Sequence, residues 1–78
     1  MSIDRKLAGA VSRAIECPVD DISIESGIGE TPGWDSFGHL RIILELEAVY
    51  SVRFDMNRIP ELKTVRLIEK ELQDLSAS

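Results

Sequence analysis

The chain has 78 residues, of which 44% are hydrophobic and 29% are charged, and its formal net charge at pH 7 is −5. This length suffices for one small domain with a single hydrophobic core, so we expect residues 1–78 to form one domain. A chain with net negative charge and no cluster of Lys or Arg is a poor match for nucleic acid or an anionic membrane, and we expect neither as a partner.

The cysteine content and the N-terminal residues bear on location and chemistry. Cys17 is the single cysteine, so it cannot form an internal disulfide, and no Cys and His residues have metal-ligand spacing. We therefore expect no metal site. The start of the chain, Met-Ser-Ile-Asp-Arg-Lys, lacks the features of a signal peptide, and no apolar run approaches membrane-spanning length. These features predict a cytoplasmic protein.

The first predicted element is an amphipathic helix. Apolar residues recur at spacings of three and four, with polar residues on the other side. The Cys17-Pro18 pair ends this pattern, because a residue that precedes proline disfavours helical geometry. The apolar stripe consists of Ile3, Leu7, Ala10, Val11, Ala14 and Ile15.

A long segment without periodicity follows, from residue 19 to residue 35. It is rich in Asp, Ser, Gly and Pro, which is typical of turns. A loop of this length is unusual in a small domain. Because Ile22, Ile24 and Ile28 are spaced so that their side chains can reach a core, we predict a packed loop and not a flexible linker.

A strong helical pattern runs from Ser36 to about Tyr50, with apolar residues on two opposite sides. Either both sides are buried, or one is exposed for docking; so short a chain has little material to cover both, which favours docking. His39 lies on the core side, where we expect a hydrogen-bonded structural role and not acid–base chemistry. The core stripe consists of Ile42, Ile43, Leu46, Val49 and Tyr50, and the second stripe of Phe37, Leu40, Leu44 and Ala48.

The rest of the chain predicts a short helix and a final helix. Residues 56–62 can form at most a short helical turn, because Pro60 removes a backbone donor. Thr64 is then expected to cap the last helix. The apolar residues of that helix are Val65, Ile68, Leu72 and Leu75. The predicted fold class is therefore all-α, a small four-helix bundle with a long first loop and a short third helix.

The junction between the long loop and the second helix holds the most informative residues. A serine hydroxyl at a helix N-terminus lies where backbone N–H groups converge and the helix dipole is positive, which favours a phosphate on Ser36. Ser and Asp are also the commonest N-cap residues, and from position alone a plain cap is the more common outcome. Trp34 either packs over the first helical turn or lines a groove beside Ser36.

The sequence contains no arrangement of residues that is typical of a catalytic site. There is no Gly-rich phosphate loop, no paired carboxylates, and no serine or cysteine with an evident base. We therefore expect no enzymatic activity and name no catalytic residue.

The order of the elements, together with Gly33-Trp34-Asp35-Ser36-Phe37, resembles the acyl carrier protein family. The resemblance covers nearly the whole chain, and the family's Asp-Ser-Leu core stands here as Asp35-Ser36-Phe37. An Asp-Ser pair alone is uninformative, whereas the pair within this full frame is specific. Further matching positions are Leu46, Glu47, Tyr50, Thr64 and Val65.

The resemblance implies that Ser36 carries 4′-phosphopantetheine, transferred from coenzyme A by a separate Mg²⁺-dependent phosphopantetheinyl transferase. The arm would hold acyl intermediates as thioesters, while partner enzymes perform the chemistry on a monomeric carrier. Asp35, Trp34 and Phe37 would surround the attachment site. By the same resemblance, the second helix would dock to partners through Phe37, Leu40, Arg41, Leu44, Glu45 and Glu47.

Three positions depart from the carriers of fatty-acid synthesis. Gly38 stands where those carriers usually have an acidic residue, Arg41 stands where they commonly have Glu, and Phe37 replaces Leu. These changes thin the acidic face that the enzymes of fatty-acid synthesis recognise. The chain begins with Met and ends soon after the last helix, so we expect a stand-alone carrier in a specialised polyketide, secondary-metabolite or modified-lipid pathway.

Two alternative functions stay open at this point. The first is an aminoacyl or peptidyl carrier, loaded by an adenylating enzyme. The second is a small helical adaptor protein in which Ser36 is a simple N-cap and needs no hydroxyl chemistry.

Overall fold

The computed structural model describes the backbone of residues 4–77 and the side chains of residues 4–75. This described part of the chain contains three α-helices: α1 (Arg5–Ile15), α2 (Ser36–Tyr50) and α3 (Val65–Ala77). Within the described residues there is no strand, and one isolated bridge joins Gly27 to Thr64. The predicted all-α class is therefore confirmed.

The predicted four-helix bundle is wrong, because the expected short third helix is only a three-residue 3₁₀ turn, Ile59–Glu61. Pro60 in the middle of this turn has no N–H to donate. The N–H groups of Glu61 and Leu62 instead donate three residues back, at 2.9 and 3.2 Å. This pattern makes one tight turn and does not extend into an α-helix.

Helix α1 presents its apolar stripe to the core. Asp4 caps its start, where the carboxylate accepts the Lys6 N–H at 3.1 Å, and Glu16 ends it in a left-handed conformation with φ of 55°. Ile3, the first residue of the predicted stripe, lies outside the described residues. The buried residues of α1 are Leu7, Ala8, Ala10, Val11, Ala14 and Ile15.

The long loop packs against the core, as the isoleucine spacing predicts, although Ile24 is only half-buried and does not join the core cluster. The side chain of Ile22 is buried, and Ile28 packs against the core cluster. Three backbone hydrogen bonds join this loop to the residues that open α3, so its polar groups are satisfied without a sheet. They run from Ile28 N–H to Lys63 O at 2.9 Å, from Val65 N–H to Ser26 O at 2.9 Å, and from Arg66 N–H to Ile24 O at 3.0 Å.

Helix α2 is central, with one face in the core and the other in solvent. Ile42 and Leu46 are completely buried in a core cluster that also contains residues of α1 and α3, and Ile43 is almost so. On the opposite face Leu44 is 66% exposed, which agrees with the prediction that the second apolar stripe lies outside the core. Thr64 caps α3, since its hydroxyl accepts the Leu67 N–H at 3.3 Å. None of the described helices has both the length and the apolar character required to cross a bilayer.

The two faces of α2 predict opposite responses to the same substitution. Leu46→Ala should lower the free energy of unfolding by roughly 2–5 kcal/mol, because it leaves a cavity among fully buried side chains. Leu44→Ala should lower it far less, since the leucine side chain is already in water. Urea unfolding of both variants measures the difference, and equal losses would show that Leu44 contributes to the core.

Candidate functional site

Ser36 is the first residue of α2, and its side chain is exposed. The cap of this helix is not Ser36 but Asp35, whose Oδ1 accepts the Gly38 N–H at 2.8 Å. No hydrogen bond of the Ser36 hydroxyl is found among residues 4–77. The hydroxyl is therefore free to react. The interpretation of Ser36 as a simple N-cap does not fit, because Asp35 caps the helix.

The electrostatics at this end of α2 suit an anion. The His39 N–H donates to the Asp35 carbonyl at 2.8 Å, which completes the first turn. The N–H groups of Ser36 and Phe37 have no acceptor within the described part of the chain. Unpaired N–H groups at the positive end of a helix dipole stabilise a negative group bound close to them.

The path of the chain into α2 depends on a close contact between loop and helix. Gly33 has φ of +85°, and a Cβ there would lie 2.6 Å from the Ile15 carbonyl oxygen at the end of α1. Gly38 is buried against the same loop, where a Cβ would overlap the Gly33 carbonyl oxygen. Both positions therefore require glycine, one for its backbone conformation and both for space.

This contact corrects the sequence-based interpretation of Gly38. From the sequence, we interpreted the lack of a carboxylate at position 38 as a change in the surface that partner enzymes recognise. In the structure, residue 38 faces the Gly33 backbone, and a Cβ would also lie 3.3 Å from Ile15 Cγ2. An acidic side chain does not fit there, so the glycine reflects packing between the loop and α2.

Trp34 and His39 form a buried hydrogen-bonded pair beneath Ser36. The indole is 1% exposed, and its Nε1–H donates to His39 Nδ1 at 3.0 Å. The other imidazole nitrogen, Nε2, lies 2.8 Å from the Ile59 carbonyl oxygen. The two rings stack with centroids 6.1 Å apart and planes inclined by 18°. Trp34 thus packs under the first turn of α2 and does not face the solvent beside Ser36.

The partners of His39 fix its tautomer. An indole N–H only donates, so Nδ1 must accept and carries no proton. A carbonyl only accepts, so Nε2 carries the proton and donates to Ile59. Both nitrogens are occupied, which agrees with the structural role predicted for this histidine. The chain Trp34–His39–Ile59 ties the loop, α2 and the 3₁₀ turn together.

A cavity of about 370 Å³ opens beside Ser36, between α2 and the segment that leads into α3. Its wall is mostly apolar, and the polar residues in its lining are Ser36, His39 and Lys63. No cluster of acidic, His or Cys side chains that could hold a metal occurs in the described part of the chain. The lining residues are Ile28, Ser36, His39, Leu40, Ile59, Pro60 and Lys63.

The apolar residues predicted for docking lie together on the exposed face of α2. Phe37 is 72% exposed and Leu40 is 53% exposed, and Leu40 neighbours both Phe37 and Leu44 across one turn of the helix. We call Phe37, Leu40 and Leu44 the apolar strip. The strip begins one residue after Ser36, so a protein that covered it would also reach the serine.

The charged residues predicted for docking all have intramolecular partners. Glu45 Oε2 accepts from Arg13 Nη2 and Nε, both at 3.1 Å. Glu47 Oε2 accepts the Phe54 N–H at 3.0 Å. Arg41 Nη2 lies 3.8 Å from a carboxylate oxygen of Glu16, and both of these side chains are exposed.

Sequence patterns did not indicate the cavity or the partner of His39. The wall of the cavity comes from the long loop, α2 and the segment around the 3₁₀ turn, which share no periodicity, and the last of these is about twenty residues from the others in sequence. The Trp34–His39 bond had one detectable sign, an indole just before a helix with a histidine on that helix's buried face.

Comparison with known proteins adds no family assignment. No protein-family model matches this chain, and no curated protein matches it. The resemblance to acyl carriers therefore rests on the residues quoted above.

The contact between Gly33 and Gly38 can be tested by substitution with alanine. At position 38, helix propensity predicts a gain in stability and packing predicts a loss. Gly38→Ala should destabilise the fold by about 1–3 kcal/mol, since the new methyl group must displace the Gly33 backbone. Gly9→Ala in α1 is the matched control, because a Cβ there meets only the Arg13 guanidinium, at 3.5 Å. That variant should gain up to about 1 kcal/mol from propensity alone. Urea unfolding that shows both variants stabilised would contradict the contact.

Proposed function

We propose that this chain is an acyl carrier protein in which Ser36 Oγ bears a covalent 4′-phosphopantetheine arm. The observation that carries the proposal is the exposed Ser36 hydroxyl at the start of α2, left without an internal partner because Asp35 caps the helix. This arrangement occurs within the Asp35-Ser36-Phe37 frame that resembles the family's attachment motif.

The residues around Ser36 fit such an arm in charge and in shape. The unpaired N–H groups of Ser36 and Phe37 can stabilise the phosphodiester at the positive end of α2. The Asp35 carboxylate would repel a phosphate, but one of its oxygens is engaged with the Gly38 N–H. The cavity beside Ser36 has an apolar wall for the uncharged part of the arm or for a short acyl chain.

In this proposal the chain positions the Ser36 hydroxyl, and the reactive thiol belongs to the attached arm. When attached, the arm provides a thiol that holds an acyl group as a thioester, and separate enzymes perform the reactions. Trp34 and His39 hold the first turn of α2 from below, and Gly33 and Gly38 bring the loop against it. Together they keep Ser36 pointing outward, where a transferase can reach its hydroxyl.

The partners follow from the same proposal. A phosphopantetheinyl transferase would attach the arm, and enzymes that load and process acyl groups would meet the apolar strip. We assign the carrier to a specialised pathway and not to bulk fatty-acid synthesis, because α2 has Arg41 on its exposed side. A cytoplasmic location, a monomeric state and the absence of enzymatic activity stay predictions from the sequence.

The attachment is tested by the intact mass after incubation with coenzyme A and a broad-specificity phosphopantetheinyl transferase. The parent chain should gain the mass of one phosphopantetheine, and Ser36→Ala should gain nothing. Ser36→Ala should lose at most about 1 kcal/mol of stability, because Asp35 still caps the helix. Ser23→Ala, a change at an exposed loop serine, is the control and should be modified like the parent.

Two results would overturn this proposal. One is a parent chain that is folded, by circular dichroism, yet gains no mass with a transferase that modifies another carrier in the same tube. The other is a Ser36→Ala variant that is modified as readily as the parent, which would place the attachment elsewhere.

A further inference from the structure

The exposed face of α2 combines an apolar surface with a positive charge. The strip residues Phe37 and Leu44 are 72% and 66% exposed, which is high for large apolar side chains. Apolar residues grouped on a surface and edged by polar ones are typical of protein interaction sites. Around the helix, at about 100° per residue, Arg41 lies beside this strip on the side that faces α1.

The carboxylates of α2 contribute little free negative charge to this face. Glu45 is bound to Arg13 by two contacts at 3.1 Å and is only 34% exposed at its side chain. Glu47 accepts the Phe54 backbone N–H and helps to fix the segment after α2. One oxygen of each carboxylate is therefore already engaged within the domain, which lowers the negative charge that α2 offers to a partner.

Arg41 is held much more loosely. Its contact with Glu16 is 3.8 Å long, and the two side chains are 50% and 79% exposed. An exposed ion pair of this kind contributes on the order of 0–1 kcal/mol, so it gives way easily to a better-placed carboxylate. The planar guanidinium can bind a carboxylate through two parallel hydrogen bonds, which adds geometric selectivity.

We propose that the apolar strip and Arg41 bind a partner enzyme whose contact surface is an apolar recess edged by carboxylates. This inference rests on the proposed function, since it names the chemistry of the partners that would meet Ser36. A partner with a basic edge would place like charge beside Arg41, and like charges at a contact are unfavourable. The local charge therefore selects an acidic partner although the whole chain has a net charge of −5.

A second copy of this chain is a poor occupant of the same face. In a twofold symmetric contact, the strips of two copies would meet and bring the two Arg41 side chains towards each other. The two negatively charged domains would also repel each other at longer range. The charge pattern therefore favours a different protein with carboxylates at the matching place.

Two synthetic amphipathic helical peptides test this inference on the holo protein. Both present the same Leu and Phe face, and the positions that flank this face are Glu in one peptide and Lys in the other. Amide shifts of the ¹⁵N-labelled carrier report binding at Phe37, Leu40 and Leu44. The Glu peptide should bind with a dissociation constant roughly two- to fivefold lower, the size of an exposed charge interaction.

Two variants identify the source of the preference. Arg41→Glu should reverse the order of the two peptides, because it replaces the proposed contact with a carboxylate. Arg66→Glu, the same change in charge at an exposed position of α3, should leave the order unchanged. Leu44→Ala should weaken both peptides alike, and raised salt should shrink the difference between them.

Non-specific attraction predicts the opposite result, because a chain of net charge −5 attracts the Lys peptide. The inference fails if the Lys peptide binds the strip more tightly, if Arg41→Glu leaves the order unchanged, or if neither peptide gives saturable shifts at the strip. These outcomes are distinct from a failure of the proposed function, which would appear earlier as a chain that gains no phosphopantetheine.

Discussion

The backbone of the long loop lies directly against the first turn of α2, and the position of Ser36 depends on this contact. The carbonyl of Gly33 occupies the space that a side chain at Gly38 would need, and Gly33 itself sits against Ile15 at the end of α1. The end of α1, which is distant in sequence, therefore meets the end of the loop and the first turn of α2 within a few ångströms. A residue with a Cβ at either glycine would push the loop off the helix and change the direction in which Ser36 points.

The residues at the junction between the loop and α2 have separate structural roles. Asp35 caps α2, Trp34 and His39 fill the space below the first turn, and the His39 Nε2–H reaches the Ile59 carbonyl across the cavity wall. Because these tasks are taken by its neighbours, the Ser36 hydroxyl is not needed for stability. A serine whose hydroxyl is spared from capping and faces solvent is suited to carry a covalent group.

Periodicity and residue type were enough to predict the three α-helices, the packed loop and the exposed second stripe of α2. They failed for the expected third helix, because a proline in a segment of seven residues leaves hydrogen bonds for only one 3₁₀ turn. They also assigned Gly38 to partner recognition, whereas its role is packing against Gly33. A sequence shows that a side chain is absent but not which atoms occupy the space. The intramolecular partners of Glu45 and Glu47 come from α1 and from the segment after α2, and no spacing rule predicts them.

The proposed carrier role requires that Ser36 bear its covalent group in the cell and not only accept one from a transferase added in vitro. Mass spectrometry of the peptide that contains Ser36, from the protein isolated at its natural abundance from its own cells, tests this most directly. We expect this peptide to carry phosphopantetheine on Ser36, with a thiol that is free or acylated. A peptide in which Ser36 is unmodified in every molecule would contradict it.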